Sequence, residues 1–419
     1  MEISGKRMYS LLKKLNFERL STFDGEKLGA QIIADEIKSM GVEPRIETFK
    51  APRYEIKTAK FEVTAPFKCE YVVTGYGFSG NAAKDGIEAE FYYLESFDDM
   101  CLAGAKGKIV FVPGGVGVEN YKKLAKSGAL AFVSTSGTWL DKKSETDLEE
   151  RMLRPVHTVD GVIPGVCMRM TDGIKLVNSC PKTVKLTLEQ TEGEADSQNV
   201  ICEIPGTEHP EEVIVFTAHY DSVRFSHGMF DNATGSVTNL ELLRYFKKYQ
   251  PMRTIRFIFT GSEERGLLGS KAYVADHKDE LENIRLCINV DMTGPILGYD
   301  TALVMAEESV CHAMDFYKKE IGFAMEVKQD IYSSDAIPFA DNGIPGINFF
   351  RRAAQDSTKI HCRYDIISTV TAKSMARTAG FILEFTKKLV NSVYFPIDRK
   401  VPEEIVEKVD KYLRKNPQK

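Results

Sequence analysis

The sequence predicts an α/β fold, in which helices sandwich a mixed, mostly parallel sheet and a β-rich module is inserted. Short β-branched apolar runs alternate with helical patterns over residues 199–389, and such alternation is typical of parallel sheets covered by helices. Residues 1–50 have helical apolar spacing and then a strand pattern at Arg45. Over residues 61–188 the runs become short and alternating, with few helical stretches, which indicates a separate module.

These changes of pattern set the predicted domain boundaries. Residues 1–60 and 189–419 are expected to form one discontinuous domain, and residues 61–188 an inserted β-rich domain. In the insert, Pro113-Gly-Gly-Val-Gly117 follows a strand pattern, but Asn120 replaces the third glycine of a dinucleotide-binding Gly-x-Gly-x-x-Gly. We therefore interpret this stretch as a turn.

Composition narrows the classes of function. The chain has 419 residues and a net charge of −5, and it lacks a basic patch with interleaved aromatics, so nucleic acid is not an expected partner. No apolar run is long enough to span a bilayer, so no membrane association is expected. The first residues lack the apolar core of a signal peptide, and the eight cysteines include no Cys-x-x-Cys pair. We expect reduced thiols in a cytoplasmic protein.

Polar residues follow three predicted strands, at the places where ligands collect in open α/β sheets. The candidates at these strand ends are His219 with Asp221, Glu263 with Glu264, and Asp291. Two loops add Asp231, just before a predicted helix over residues 234–249, and His361. A histidine in such a place can bind a metal through one ring nitrogen while a carboxylate orients the other nitrogen.

This set of side chains favours a metal site. Histidine and carboxylate ligands without thiolates suit zinc, and also cobalt or manganese. Five ligands with a spare glutamate are too many for one open zinc, and they suit two metals about 3.5–4 Å apart that share a carboxylate. Glu263 and Glu264 are adjacent, so both cannot point at one metal from an extended chain. We expect one to bind a metal and the other to transfer protons.

The motifs resemble those of the di-zinc aminopeptidase family that includes aminopeptidase Y and the bacterial leucyl aminopeptidases. The stretches that carry the resemblance are Ala-His219-Tyr-Asp221-Ser, Gly-x-x-Asp231-Asn-Ala-Thr-Gly, Gly-Ser-Glu263-Glu264-x-Gly-Leu-x-Gly-Ser, Asn-x-Asp291-Met, and Ser334-Asp335 through Pro338-Phe339 to Gly343-Ile-Pro. The resemblance implies a zinc-exopeptidase fold. Residues 61–188 resemble the protease-associated domain that some members insert.

The resemblance also implies roles for individual residues. His219 and Asp291 are expected to bind one zinc, Glu264 and His361 the other, and Asp231 to bridge the two ions. Glu263 is then the general base and acid, and Asp221 orients His219. Asp365 falls where a family aspartate follows the histidine. Many members have a tyrosine before this histidine that stabilises the tetrahedral intermediate, whereas this chain has Ile360.

The resemblance therefore implies an aminopeptidase that removes amino-terminal residues from peptides through a hydroxide held by two zinc ions. Two alternatives stay open within the family: a related zinc carboxypeptidase acting on small acidic peptides, and a glutaminyl cyclase. A third alternative is a non-catalytic, receptor-like member that binds a partner through the inserted domain. The sequence does not determine the side-chain preference or the oligomeric state.

Overall fold

A computed structural model describes residues 3–141 and 148–415. Within them the eleven α-helices are α1 (Gly5–Lys14), α2 (Asp24–Ser39), α3 (Asp99–Ala103), α4 (Val118–Lys126), α5 (Met170–Asn178), α6 (Thr234–Lys248), α7 (Leu268–Asp276), α8 (Glu308–Glu320), α9 (Ile337–Asp341), α10 (Ala372–Val390) and α11 (Glu403–Leu413). No helix in these two ranges is long and apolar enough to cross a bilayer.

The same two ranges contain fourteen strands. They are β1 (Arg45–Ala65), β2 (Cys69–Tyr71), β3 (Val73–Gly75), β4 (Ile87–Tyr93), β5 (Ile109–Phe111), β6 (Ala131–Ser136), β7 (Gly165–Arg169), β8 (Thr183–Ile204), β9 (His209–His219), β10 (Arg253–Thr260), β11 (Ile284–Val290), β12 (Gly298–Met305), β13 (Met325–Gln329) and β14 (Gly346–Ala353). The predicted strand at Arg45 is confirmed.

The chain divides into two compact units, which we call the main unit (residues 1–51 and 195–419) and the second unit (residues 52–194). The sequence patterns place these boundaries at 60/61 and 188/189, several residues away. Strands β1 and β8 each start in one unit and end in the other. That the second unit is an inserted protease-associated domain stays a prediction.

The main unit contains a mixed, mostly parallel sheet, as predicted. Its strand order is β13-β12-β14-β11-β9-β10-β8, and the four central strands β14, β11, β9 and β10 are parallel. Along β9, Ile214 and Phe216 belong to one buried cluster, whereas Val213 and Val215 belong to another. Side chains of a strand alternate between the two faces of its sheet, so apolar cores cover both faces.

Helices supply the rest of both cores. Residues of α1, α2, α6, α8 and α10 belong to the first cluster, and residues of α7, α9 and α11 belong to the second. The predicted fold class is therefore confirmed for the main unit, and the central strands read as continuous apolar runs because helices bury them on both sides.

The second unit has its own sheet and its own cores. Strands β4, β5, β6 and β7 are parallel, and β3 adds to β7 in the antiparallel sense. Val110 of β5 belongs to one buried cluster, and its neighbours Ile109 and Phe111 belong to another. This unit therefore also buries both faces of its sheet.

Candidate metal centre

The register of the central strands brings three strand ends to one level. His219, the last residue of β9, pairs with Thr260, the last residue of β10. On the other side of β9, Thr217 pairs with Asn289, so that Asp291, directly after β11, lies level with His219. The polar residues predicted at separate strand ends therefore meet at one edge of the sheet.

One group of potential ligands forms around His219. Its Nε2 atom lies 3.1 Å from Oδ1 of Asp231 and 3.8 Å from Oδ1 of Asp291. One ligand atom from each of the three residues lies within 4.8 Å of the other two, and all three residues are buried. This spacing is short enough for a single cation to contact all three.

A second group forms around His361. Its Nε2 atom lies 3.1 Å from Oδ2 of Asp231 and 3.1 Å from Oε2 of Glu264. Asp231 thus belongs to both groups and presents a different carboxylate oxygen to each. The structure brings together all five residues that the resemblance implies as metal ligands, in the two groups that it implies.

The neighbours Glu263 and Glu264 face different histidines. Oε2 of Glu263 lies 3.9 Å from Nε2 of His219, whereas Glu264 contacts His361. Because the two carboxylates diverge, Glu263 lies beside the first group without belonging to either group. This is the division that we expect from two adjacent glutamates at a strand end.

Asp221 contacts both His219 and the turn that carries the two glutamates. Its Oδ1 atom is 3.4 Å from Nδ1 of His219. The same carboxylate accepts the backbone N–H groups of Glu263 at 3.0 Å and Glu264 at 3.2 Å. Asp221, itself fully buried, therefore connects the end of β9 to the turn that carries both glutamates.

Asp365 has a matching position behind Asp231. Its two carboxylate oxygens accept the backbone N–H groups of Phe230 at 2.7 Å and of Asp231 at 3.0 Å. Asn232 ties the same turn to the end of β11, because its amide donates to Val290 O and its Oδ1 accepts the Met292 N–H. Both contacts fix the direction of Asp231.

Two charged residues of the N-terminal segment reach the site, and the sequence analysis missed both. The guanidinium of Arg19, fully buried, donates to the carbonyls of Tyr220 at 2.5 Å and Gly228 at 2.8 Å, which lie on the loop between His219 and Asp231. It also donates to the carbonyls of Leu15, Phe17 and His227.

Glu26, also fully buried, acts on the other side of the site. It accepts the Ser262 N–H at 3.0 Å and the Ser197 hydroxyl at 2.9 Å, directly before the glutamate turn. A sequence signal existed for Glu26, because it is spaced seven residues from Ile33 on α2, where a core-facing residue belongs. Arg19 lies between helices, where no periodicity applies.

Two further residues of the motifs have positions that the sequence left open. Asp335 is buried and accepts the hydroxyls of Thr260 at 2.5 Å and Ser270 at 2.6 Å. It therefore fastens the end of β10 to α7. Ile360, which stands before His361 in place of a tyrosine, packs against the apolar core of the main unit.

The site contains several acidic side chains that are buried close together, and this shifts their pKa values. Burial raises the pKa of Glu263 well above its usual range and raises the pKa of Asp291 to about 8. The pKa of Asp231 is lowered instead. Burial acts to raise this pKa, but the hydrogen bonds with His219 and His361 outweigh burial. The shared carboxylate is thus held ionised between two histidines.

The donor set fits metal ions. Asp291 Oδ1 is buried and accepts no hydrogen bond from the described residues, an arrangement that is costly without a cation. Each group offers one imidazole nitrogen and two carboxylate oxygens, with no thiolate. Nitrogen and oxygen donors of this kind suit zinc, cobalt and manganese.

The fold and this site together define the class of a metal-dependent hydrolase of the α/β type. Residues 199–386 match the profile of peptidase family M28. Over that segment the chain is similar to this family of peptidases. The matched segment includes the two groups of potential ligands described above.

Known relatives agree with this assignment. The chain is 28% identical over 380 residues to aminopeptidase YwaD of Bacillus subtilis, covering 83% of this chain and 76% of the relative. It is 27% identical over 319 residues to carboxypeptidase Q of Bos taurus, covering 69% of this chain and 66% of the relative, just under two thirds. A solved structure of BSAP, a zinc aminopeptidase from Bacillus subtilis, superposes with a TM-score of 0.79 at 25% identity and covers 96% of this chain and 99% of that chain.

The predicted family and the prediction that the chain is an enzyme are thus confirmed. The roles of the individual site residues, the number of metal ions and the cytoplasmic location stay predictions.

Proposed function

We propose that the chain is a zinc-dependent aminopeptidase with two metal ions in its site. His219 and Asp291 would hold one ion, Glu264 and His361 the other, and Asp231 both. The observation that carries this proposal is the shared carboxylate, whose two oxygens each lie 3.1 Å from a different histidine. The names of the Bacillus relatives, an aminopeptidase and a zinc aminopeptidase, support the choice of reaction and metal.

A bound pair of ions supplies a Lewis acid for the peptide carbonyl and lowers the pKa of water. The chain's own residues do the rest. In hydrolysis, an oxygen of water forms a bond to the carbonyl carbon, the bond from that carbon to nitrogen breaks, and a proton passes to the leaving amine. Glu263 belongs to neither ligand group and lies beside the first, so we assign it the proton transfer.

Burial suits Glu263 to this work. Burial raises its pKa well above the usual range of a carboxyl group, and a raised pKa makes the carboxylate a stronger proton acceptor. Asp221 fixes the glutamate by accepting its backbone N–H at 3.0 Å. This bond holds the backbone of the turn from which the carboxylate projects.

A second candidate is a carboxypeptidase, because the relatives include carboxypeptidase Q of several mammals and a frog. The two candidates differ in which free end of the peptide the enzyme requires. Aminoacyl amides have only a free amino end, and N-acetylated dipeptides have only a free carboxyl end. An enzyme that cuts the first kind and spares the second is an aminopeptidase.

The test combines metal content with this substrate pair. The protein as purified should contain two zinc ions per chain and hydrolyse leucine amide. Removal of zinc with a chelator should abolish hydrolysis, and added zinc should restore it. A zinc content of one ion or none, in zinc-replete buffer, would contradict the two-metal site. Hydrolysis of N-acetyl-leucyl-glycine but not of leucine amide would replace the aminopeptidase with the carboxypeptidase.

A further inference from the structure

An exposed arginine, Arg352, lies at the end of β14. Arg352 lies with its guanidinium over the ring of Phe350 at 5.6 Å and over the ring of Tyr299 at 5.9 Å. Among the described residues no carboxylate pairs with it, and the two rings hold the cation in place.

Most other arginines of the main unit have carboxylate partners. The pairs formed by arginines in the main unit include Arg7–Glu241, Arg244–Glu36, Arg253–Glu212, Arg256–Glu203, Arg351–Asp300 and Arg377–Asp300. Arg351 pairs with Asp300 at 2.9 Å, directly beside the unpaired Arg352. Arg352 is therefore an exposed cation that rests on two rings without a carboxylate partner among the described residues, in a chain whose net charge is negative. These properties make it a candidate binding residue.

Arg352 lies on a strand whose end contacts the metal centre. The Asp291 N–H donates to the carbonyl of Phe349 at 2.9 Å, so this end of β14 lies against a ligand-bearing strand end. The ring of the next residue, Phe350, stacks on Tyr332 with 5.0 Å between centroids. Burial and then the nearby charges of Asp291, Asp231 and Glu263 raise the pKa of Tyr332, and Arg352 acts in the opposite sense.

A second exposed arginine lies by the other ligand group. Arg363 is two residues after His361, and its guanidinium lies 5.7 Å from the ring centroid of Phe225, on the loop that joins His219 to Asp231. As with Arg352, none of the residues described by the structure supplies a carboxylate partner. Each of the two arginines therefore rests on an aromatic ring next to a loop or strand that carries ligands.

Guanidinium groups that rest on an aromatic ring and have no carboxylate partner among the described residues are suited to bind the carboxylate of a ligand. Arginine offers paired N–H groups that match the two oxygens of a carboxylate. A side chain already ordered on a ring loses less conformational freedom on binding than a free one. In an enzyme that cuts after the first residue, the carboxylates of the remaining peptide leave the metal centre towards its rim.

We propose that Arg352 and Arg363 bind a carboxylate of the peptide substrate beyond the bond that is cut, so that the enzyme selects short or acidic peptides. This inference rests on the proposed aminopeptidase function. The carboxylate is either the carboxyl terminus of a dipeptide or tripeptide, or an acidic side chain that follows the cut bond. The chemistry of recognition is the same for both sources.

The test measures binding, so that it does not depend on turnover. Dissociation constants are measured by calorimetry for zinc-loaded protein carrying Glu263→Gln, which is expected to hydrolyse the substrates ~10²–10⁴-fold more slowly. Leucyl-glycine is compared with its amide for the carboxyl terminus, and leucyl-glutamate amide with leucyl-glutamine amide for the side chain. Either acid should bind about threefold to tenfold more tightly than its neutral partner.

Arg352→Gln and Arg363→Gln, added singly and together, should reduce this preference to about one. Lys247→Gln is the matched control, because it removes the same charge from an exposed residue near the far end of α6, roughly 20 Å along the helix from the site. The preference should also fall between low and high salt, since exposed charges are screened.

Equal binding of acids and amides by the protein with both arginines would overturn the inference, whether or not the enzyme hydrolyses peptides. So would a preference that survives the double substitution. Loss of the preference for both acids in Lys247→Gln would mean that net charge, rather than these two arginines, attracts the substrate. A lack of hydrolysis with an intact preference would instead contradict the proposed function alone.

Discussion

The edges of the two parallel sheets differ in chemistry, although the strands that form them are arranged alike. In the main unit the strand ends carry His219, Glu263, Glu264 and Asp291. In the second unit the residues after β5 form a glycine turn, where the Thr135 hydroxyl accepts the Gly114 N–H at 2.7 Å. There the side chain satisfies the backbone, and the guanidinium that lies against Gly115 of this turn, that of Arg151, is paired with Glu149 at 2.7 Å.

The second unit nevertheless has a groove of about 350 Å³ close to this edge. Its lining residues are Tyr93, Phe111, Pro113, Met170, Gly173, Ile174, Val177 and Asn178. The lining has no ionisable group apart from the phenol of Tyr93. Parallel strand ends provide a place for a site, but only convergent buried charges make it a place for hydrolysis. The interpretation of Pro113–Gly117 as a turn agrees with this structure.

The largest effect should come from the two adjacent glutamates, to which we assign different roles, proton transfer for Glu263 and metal binding for Glu264. Glu263→Gln keeps the size of the side chain but removes the basic oxygen, so turnover should fall ~10²–10⁴-fold while zinc content and melting temperature stay near wild type. Glu264→Gln should instead lose zinc and stability, because a bound metal stabilises the folded state. Its activity should partly return with excess zinc. If the two variants exchange these behaviours, their roles are reversed.

The second largest effect should come from Arg19, the buried arginine of the N-terminal segment. Arg19→Met leaves the carbonyls of Tyr220, Gly228 and their neighbours without a donor, and we expect a loss of about 3–5 kcal/mol in the free energy of unfolding. Turnover at 15 °C should fall as well, because the loop between two ligands is freed. Arg253→Met is the matched control: Arg253 is equally buried, but it pairs with Glu212. That variant should lose stability and keep its turnover.

If urea unfolding shows equal losses and both variants keep full turnover, Arg19 is structural only, and the site does not extend to the N-terminal segment.

A smaller, pH-dependent effect should come from Glu26. Burial raises the pKa of its carboxyl group from 4.5 to about 7, and the charge of Asp221 adds to the rise. A raised acid pKa favours the folded state when the group is protonated, so this stabilisation is complete below pH 4.5 and is lost as the pH rises through 7. The melting temperature of the wild type should therefore fall, relative to that of Glu26→Gln, between pH 5 and pH 8. A constant difference between the two proteins across this range would show that Glu26 does not titrate there.

The smallest effect on the metal centre should follow removal of the second unit. A short linker in place of residues 53–193 should leave a folded main unit, because that unit has its own apolar cores. We expect it to bind the same number of zinc ions as the full chain, as measured by metal analysis after gel filtration. Loss of soluble protein with every linker length would mean that the two units do not fold separately.

The sequence predicted the main sheet well because strands and helices leave local patterns. The apolar runs before His219, Glu263 and Asp291 are strands β9, β10 and β11, and the helix expected at residues 234–249 is α6. The domain boundaries were harder to place. Strands β1 and β8 pass from one unit into the other without a break, so the alternating pattern continues where the units change.

What the sequence determined by itself is the inventory of candidate ligands, because most of these polar residues stand directly after an apolar strand or just before a helix, and their motifs are local. The pairing of these residues was decided only in three dimensions. Arg19 meets Tyr220, and Asp365 meets Asp231, across 201 and 134 residues of chain. No local pattern encodes such contacts, since they depend on which strands lie side by side and on the level at which each one ends.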